Sequence, residues 1–153
     1  MPTCPGCGCE KPAADFLARS RRCRKCRNAT YNRWLDGDAS NRIGLKWRVN
    51  LRKLLLHASA SAAVMSVIGC DSSALQAHIE RQWLPGMDWT NYGRACDGRK
   101  WNLDHARSCS SFDLTDPAEL RTCFHYSNTR PLWAADNLAQ GSKARGAAVV
   151  EAS

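Results

Sequence analysis

Four cysteines near the start of the chain constrain its folding most. Cys4-Pro-Gly-Cys7 and Cys23-Arg-Lys-Cys26 are two C-x2-C pairs with fifteen residues between them, the spacing of a ribbon-type zinc site. Each pair sets two thiolates on one side of a tight turn, and two such turns close a tetrahedron. A segment this short buries little core, so metal binding would supply its folding energy. Cys9 is a spare thiol that could replace Cys7, although C-x-x-C geometry favours Cys7. Iron–sulfur ligation is the alternative at this spacing. A closed four-thiolate zinc site is structural, with no open position for catalysis. Nine Cys in the chain point to metal ligands or buried thiols if the compartment is reducing. Cys70, Cys96, Cys109 and Cys123 lack C-x-x-C pairing, so a second zinc among them would need long-range assembly.

The net charge of +8 is one-sided. Residues 1–56 carry 13 Lys+Arg against 4 Asp+Glu, and the remainder 9 against 10. A basic first third suggests a polyanionic partner, nucleic acid being the usual one. Arg19, Arg21, Arg22, Arg24, Lys25 and Arg27 surround the second cysteine pair, where Arg on short loops is placed to meet phosphate. Tyr31 and Trp34 are expected to pack against the ribbon in preference to stacking on bases. Leu35 to Ser40 reads as a hinge or turn.

Asn41 to His57 is expected to be a helix, with Ile43, Trp47, Leu51 and Leu54 on one face. Its basic residues Arg42, Lys46, Arg48, Arg52 and Lys53 form rows suited to a nucleic-acid backbone. Ala58 to Ser66 reads as continued helix or linker, ended by Gly69. Asp71 or Ser72 caps a further helix with Leu75, Ile79 and Trp83 on its apolar face, stopped by Leu84-Pro85-Gly86. His57 and His78 have no partner at ligand spacing and read as structural or surface residues. Trp89, Tyr92 and Trp101 are expected to cluster. No apolar run is long enough to span a membrane. The start lacks the basic and apolar regions of a signal peptide, so an intracellular, cytoplasmic protein is expected.

From Trp101 to Lys143 three polar points stand out: Asp104-His105, Asn128 and Asn137. Trp101 to His105 alternates apolar and polar residues like a half-buried strand. Thr129 to Trp133 could be a second strand, whose Pro131 suggests an edge. Ala134 to Gln140 favours helix, with Gly141 as C-cap. Between the strands, Asp116-Pro117-Ala118-Glu119 is a helix start, with the helix running to about Tyr126. His125 reads as packing or surface. The order is strand, excursion, strand, helix: a ββα unit.

These residues resemble the HNH, or ββα-metal, nuclease motif in the form common among phage-encoded endonucleases. The signature is Asp104-His105, then Asn128, then Asn137 within Trp-Ala-Ala-Asp-Asn-Leu. The strings Ser-Ser-Phe-Asp, Cys-Phe-His-Tyr-Ser-Asn and Arg-Pro-Leu-Trp look like the same group, and the resemblance extends back to Leu84-Pro85-Gly86-Met87 and Asn91-Tyr92-Gly93. With Asn137 in the third position it is similar to the HNN variant. The chain departs from the group after His105, where Ala106-Arg107-Ser108 replaces the usual apolar residue and nearby Pro.

The resemblance implies an α+β chain in modules. These are a zinc ribbon over 1–34, a basic connecting helical region over 35–69, an HNH nuclease domain over 70–146 and a tail over 147–153. It implies Mg²⁺- or Mn²⁺-dependent hydrolysis of DNA. Asp104 and Asn137 supply hard oxygen ligands, and His105 is a base suited to neutral pH. Asn128 orients His105 by holding its ring or the loop after it. Arg21, Arg22, Arg24, Lys25, Arg27, Lys46, Arg48, Arg52, Lys53 and Lys143 would contact phosphate. The reading allows a homodimer, phage packaging partners, and the host cytoplasm as compartment. A zinc-ribbon DNA-binding regulator with an inert HNH-like unit and an RNA-directed nuclease are the rivals.

Overall fold

The computed structural model describes residues 1–57, 60–93 and 99–140. The chain is α+β and mostly helical, with one two-stranded sheet. It divides into two compact units, Met1–Leu45 and Lys46 onward. Among the described residues no single helix is long and apolar enough to cross a membrane.

The first unit is organised by its cysteine turns. The amide of Cys4 donates to the carbonyl of Cys9 at 2.9 Å and that of Gly8 to Cys4 at 2.8 Å, closing the first knuckle. Single antiparallel bridges join Thr3 to Glu10 and Phe16 to Cys23. Helix α1 (Arg24–Gly37) starts inside the second knuckle, so Cys26 sits in its first turn. No residue of α1 is buried, which leaves the cysteine cluster as what this unit has in place of an apolar core. Two expectations are corrected here. Tyr31 and Trp34 do not pack away: each stays exposed, at 46% and 45%, and they stack on one another with ring centroids 5.8 Å apart. The stretch from Leu35 to Ser40 is no loop either: α1 runs to Gly37, and only Asp38, extended at φ −150°, separates it from α2 (Ala39–His57). Asp38 accepts from the Ser40 amide at 2.8 Å, in the manner of an N-cap.

The second unit takes up the C-terminal part of α2 and everything that follows. Leu51, Leu54 and Leu55 of α2 are buried with Ile68 of α3 (Ala62–Ile68) and with Leu75 and Ile79 of α4 (Ser72–Glu80). Asp71, not Ser72, caps α4, accepting from the Ala74 amide. Gln76 ties α4 to the end of α2 by donating to the Leu55 carbonyl at 2.8 Å. Trp83, Trp89 and Tyr92 surround the fully buried Trp101, with ring centroids 4.9 to 6.1 Å from it. The Trp101 indole donates to the Asp88 carbonyl at 2.7 Å, which satisfies the one polar atom of this aromatic cluster's central ring.

Strand β1 (Trp101–His105) pairs antiparallel with β2 (Thr129–Trp133), from Trp101 opposite Trp133 to His105 opposite Thr129. With two strands both are edges, which is how Pro131 is accommodated. Between them lies α5 (Pro117–Phe124), capped by Asp116 with Pro117 in its first turn. It stops at Phe124, and a 3-10 turn over Tyr126–Asn128 leads into β2. Residues 134–140 form the last described helix, α6. Gly141, expected as its C-cap, lies outside the described residues.

Gly69 ends α3 in the left-handed region at φ 84°, and a Cβ there would lie 2.4 Å from Nε2 of His125. His125 is held from its other side, Nδ1 lying 2.7 Å from the Ser127 hydroxyl. Gly69→Ala should therefore destabilise the second unit by at least about 1–2 kcal/mol, read as a lower denaturant midpoint with an unchanged slope.

Candidate functional site

In the first unit the ligand atoms of Cys4, Cys7, Cys23 and Cys26 lie within 4.8 Å of one another. A tetrahedron of sulfurs around zinc has edges of about 3.8 Å, so the four need only close slightly. Backbone amides already point at sulfur: those of Cys23 and Gly6 approach Sγ of Cys4 at 3.2 and 3.4 Å. The Cys23 amide is the main reason the Cys4 thiol is lowered to about 6, against the opposing effect of burial. Cys26, hydrogen-bonded to Cys23, is pushed up to about 12. Gly6 permits the close approach: a Cβ there would stand 3.0 Å from Cβ of Cys26. Cys9 is exposed and donates to the Cys7 carbonyl, so Cys7 completes the group and Cys9 stays outside it. This cluster can bind a metal such as zinc.

The second unit carries a cleft of about 440 Å³ lined by Arg48, Arg52, Asn102, Asp104, His105 and Asn137, with apolar walls from Leu51, Leu56 and Leu103. An adjoining hollow of about 300 Å³ shares Arg48, Asp104, His105 and Asn137, and adds Arg130 and Gln140. The sheet explains the arrangement. Asp104 lies directly opposite Arg130, and the guanidinium Nε donates to Oδ2 at 2.9 Å. Oδ1 of Asp104 is left as a hard ligand atom. Asn102, two residues earlier on the same face of β1, accepts from Nδ2 of Asn137 at 2.7 Å. With its nitrogen so used, the Asn137 amide has its oxygen left for a ligand. His105 is the last residue of β1, which lets it share the cleft with Asp104 even though neighbours within a strand point to opposite faces.

Asn128 acts on the chain beyond His105 and not on its ring. Its side-chain oxygen accepts from the Arg107 amide at 2.8 Å, and its nitrogen donates to the carbonyls of Arg107 and Cys123 at 3.1 and 2.9 Å. The Asn128 carbonyl also accepts from the Ala106 amide at 2.8 Å. The Ala106-Arg107-Ser108 segment gains further support from its own residues. Arg107 stacks over Phe112 at 4.0 Å and donates to Ser111, while Ser108 caps the turn Cys109–Ser111.

Of the residues singled out from sequence, Asp104, His105, Asn137, Arg48 and Arg52 line this one cleft, and Asn128 braces its rim. Lys46 and Lys53 are exposed on α2; Arg21, Arg22, Arg24, Lys25 and Arg27 are exposed in the first unit. Lys143 lies outside the described residues. His78 sits with Nε2 3.1 Å from the Thr129 carbonyl oxygen, at the start of β2. Sequence reasoning missed Asn102 and Arg130, although pairing the two strands in register would have put Arg130 against Asp104. It also missed the grouping of His105 with the buried thiols of Cys109, which lines the adjoining hollow, and Cys123.

The chain is 33% identical over 101 residues to "Uncharacterized protein L246" of Acanthamoeba polyphaga mimivirus, a match covering 66% of this chain and 42% of that protein. It is also 33% identical over 90 residues to "Uncharacterized protein L426" of the same virus, covering 59% of this chain and 37% of the other. The chain thus spans under half the length of these curated relatives. No family model matches it, and no solved structure does.

Stripping metal from the four-cysteine cluster with a strong chelator should melt the first unit, since α1 has no buried residue of its own to hold it. Far-UV circular dichroism should lose helix signal on chelation and regain it with zinc, while near-UV signals from the Trp101 cluster stay unchanged.

Proposed function

We propose that the second unit is a ββα-metal domain of HNH type that hydrolyses DNA phosphodiester bonds with one divalent cation, and that the first unit is a zinc-held module adding affinity for the DNA backbone. The observation that carries this reading is the convergence on one cleft of Asp104 and His105 from β1, Asn137 from the helix after β2, and Arg48 from α2.

Phosphodiester hydrolysis needs an attacking water relieved of its proton, compensation of charge on the phosphate, and help for the departing oxygen. The oxygens of Asp104 and Asn137 fit Mg²⁺ or Mn²⁺ by donor type; a cation there would compensate phosphate charge and assist the leaving oxygen. The chain's own groups do the rest. His105 takes the proton from the attacking water. Nε2 of its ring is buried without a hydrogen-bond partner, so Nδ1 is the nitrogen available to that water. Phe124 meets the ring edge-on, with centroids 5.1 Å apart, which limits its rotation. Arg48 reaches the same cleft from α2 and would hold a phosphate oxygen. Asn128 fixes the loop behind His105 and so positions the base without touching substrate. Arg130 keeps the Asp104 carboxylate aimed. The exposed cations of the first unit and of α2 would contribute salt-sensitive, sequence-independent contacts.

Supercoiled plasmid incubated with Mg²⁺ or Mn²⁺ should be nicked or linearised, and His105→Ala should slow this by on the order of 10²-fold or more with folding intact. A structured RNA run in parallel reports substrate class. A folded, zinc-loaded wild type that leaves every nucleic acid intact would sink the hydrolytic reading in favour of a binding module. Cleavage that survives His105→Ala would put the base elsewhere.

A further inference from the structure

The ring of His105 does not end in solvent: its Nε2 is buried. Sγ of Cys123 and Sγ of Cys109 are 3.4 Å apart. The ligand atoms of His105, Cys109 and Cys123 all lie within 4.8 Å of one another. Both thiols are buried, Cys123 completely and Cys109 to within 8%. Nε2 of His105, buried and unpartnered, is a donor atom without a use in the described protein, and buried polar atoms seldom stay unsatisfied. The three residues come from separate places, the end of β1, the turn after it and α5, and the loop joining the first two is clamped by Asn128. The donors are therefore held in place by structure that does not depend on the cluster itself.

We propose that His105, Cys109 and Cys123 form a second metal site, of Cys2His composition, for a thiophilic divalent cation such as Zn²⁺, and that filling it silences the cleft. Two sulfurs and one imidazole suit zinc and reject Mg²⁺, which demands oxygen. Three protein ligands leave one coordination position open. The regulatory half rests on the hydrolytic reading above: an imidazole that binds a cation through Nε2 carries its proton on Nδ1. Nδ1, the nitrogen assigned above to the attacking water, then has no lone pair for it. Hard cations at Asp104 and Asn137 would turn the site on, and soft ones held by His105 and the two thiols would turn it off.

The test uses the full chain, loaded with one equivalent of zinc to fill the four-cysteine cluster and kept reduced without thiols. Cobalt(II) is then titrated in, and thiolate-to-cobalt charge-transfer absorption is read. Wild type should take up one further equivalent with that band; Cys109→Ser, Cys123→Ser and His105→Ala should lose or weaken it, and Cys9→Ser should keep it. A folded wild type that takes up no cobalt would overturn the site outright, whatever the variants do, as would uptake unchanged in Cys109→Ser. Plasmid cleavage in excess Mg²⁺ is then compared with and without one added equivalent of zinc. The wild-type ratio should fall by about ten-fold or more and the Cys109→Ser ratio should stay near one. Cobalt uptake with undiminished cleavage would overturn the silencing while leaving the metal site. If plasmid is never cleaved, the hydrolytic reading and the silencing built on it fail together, and the cobalt band still decides the site.

Discussion

The register of one hairpin governs the second unit. Two strands alone are marginal in water, and a slip of one residue would part Asp104 from Arg130 and displace the groups that line the cleft. Several contacts pin the pairing. At one end Trp101 is sunk among Trp83, Trp89 and Tyr92, with its indole tied to the Asp88 carbonyl. In the middle Arg130 grips Asp104 across the sheet. At the other end His105 faces the buried Thr129, whose carbonyl lies against His78 of α4. The hydrophobic anchor and the charged pair specify the same register, so the groups that line the cleft are placed by the contacts that make the sheet stable.

The first unit obeys a different constraint. Its helix buries nothing, and its exposed aromatic pair adds no core. Cohesion must come from the cysteine cluster, which explains why the amides of Cys23 and Gly6 are spent on a sulfur. A cation in such a cluster supplies strength that apolar burial would give a larger domain, and it frees the surface for charge. That is a reason for the chain's cationic excess to collect there: a module without a large core has few apolar residues to place and can carry Arg at most positions.

Local signals in the sequence were legible where one physical rule dominated. The strand from Trp101 to His105, the Asp116-Pro117 helix start and the Asp71 cap each reappear at the expected residues, although in the strand only Trp101 is buried and the other four are half-buried without alternation. The four-cysteine grouping followed from spacing alone. Less legible were features set by tertiary packing. Tyr31 and Trp34 look like core residues by type, yet α1 has nothing to pack them against. The Leu35–Ser40 string is polar and contains Gly37, but a helix can end and another begin around a single extended residue. Arg130 was hidden because its partner is 26 positions away, reachable only once both strands are aligned. Cys109 and Cys123 carry no spacing signature: 14 positions apart, they meet because the turn after β1 and α5 fold back under the same histidine.

That histidine is where the two kinds of donor in this unit adjoin. Beside it lie oxygens and guanidinium groups from Asp104, Asn137, Arg48 and Arg130, a surface for hard cations and anions. Grouped with the same ring are two sulfurs, of Cys109, a residue that also lines the adjoining hollow, and of the completely buried Cys123. In the absence of metal the pair Cys109 and Cys123 shares a proton unevenly. The hydrogen bond from Cys123 lowers the Cys109 thiol, helped by His105 and Arg48, and the same bond raises Cys123. A cation held by those two sulfurs and the imidazole would occupy the ring of the proposed base, so the turn that carries Cys109 and the helix that carries Cys123 bear on the cleft through His105.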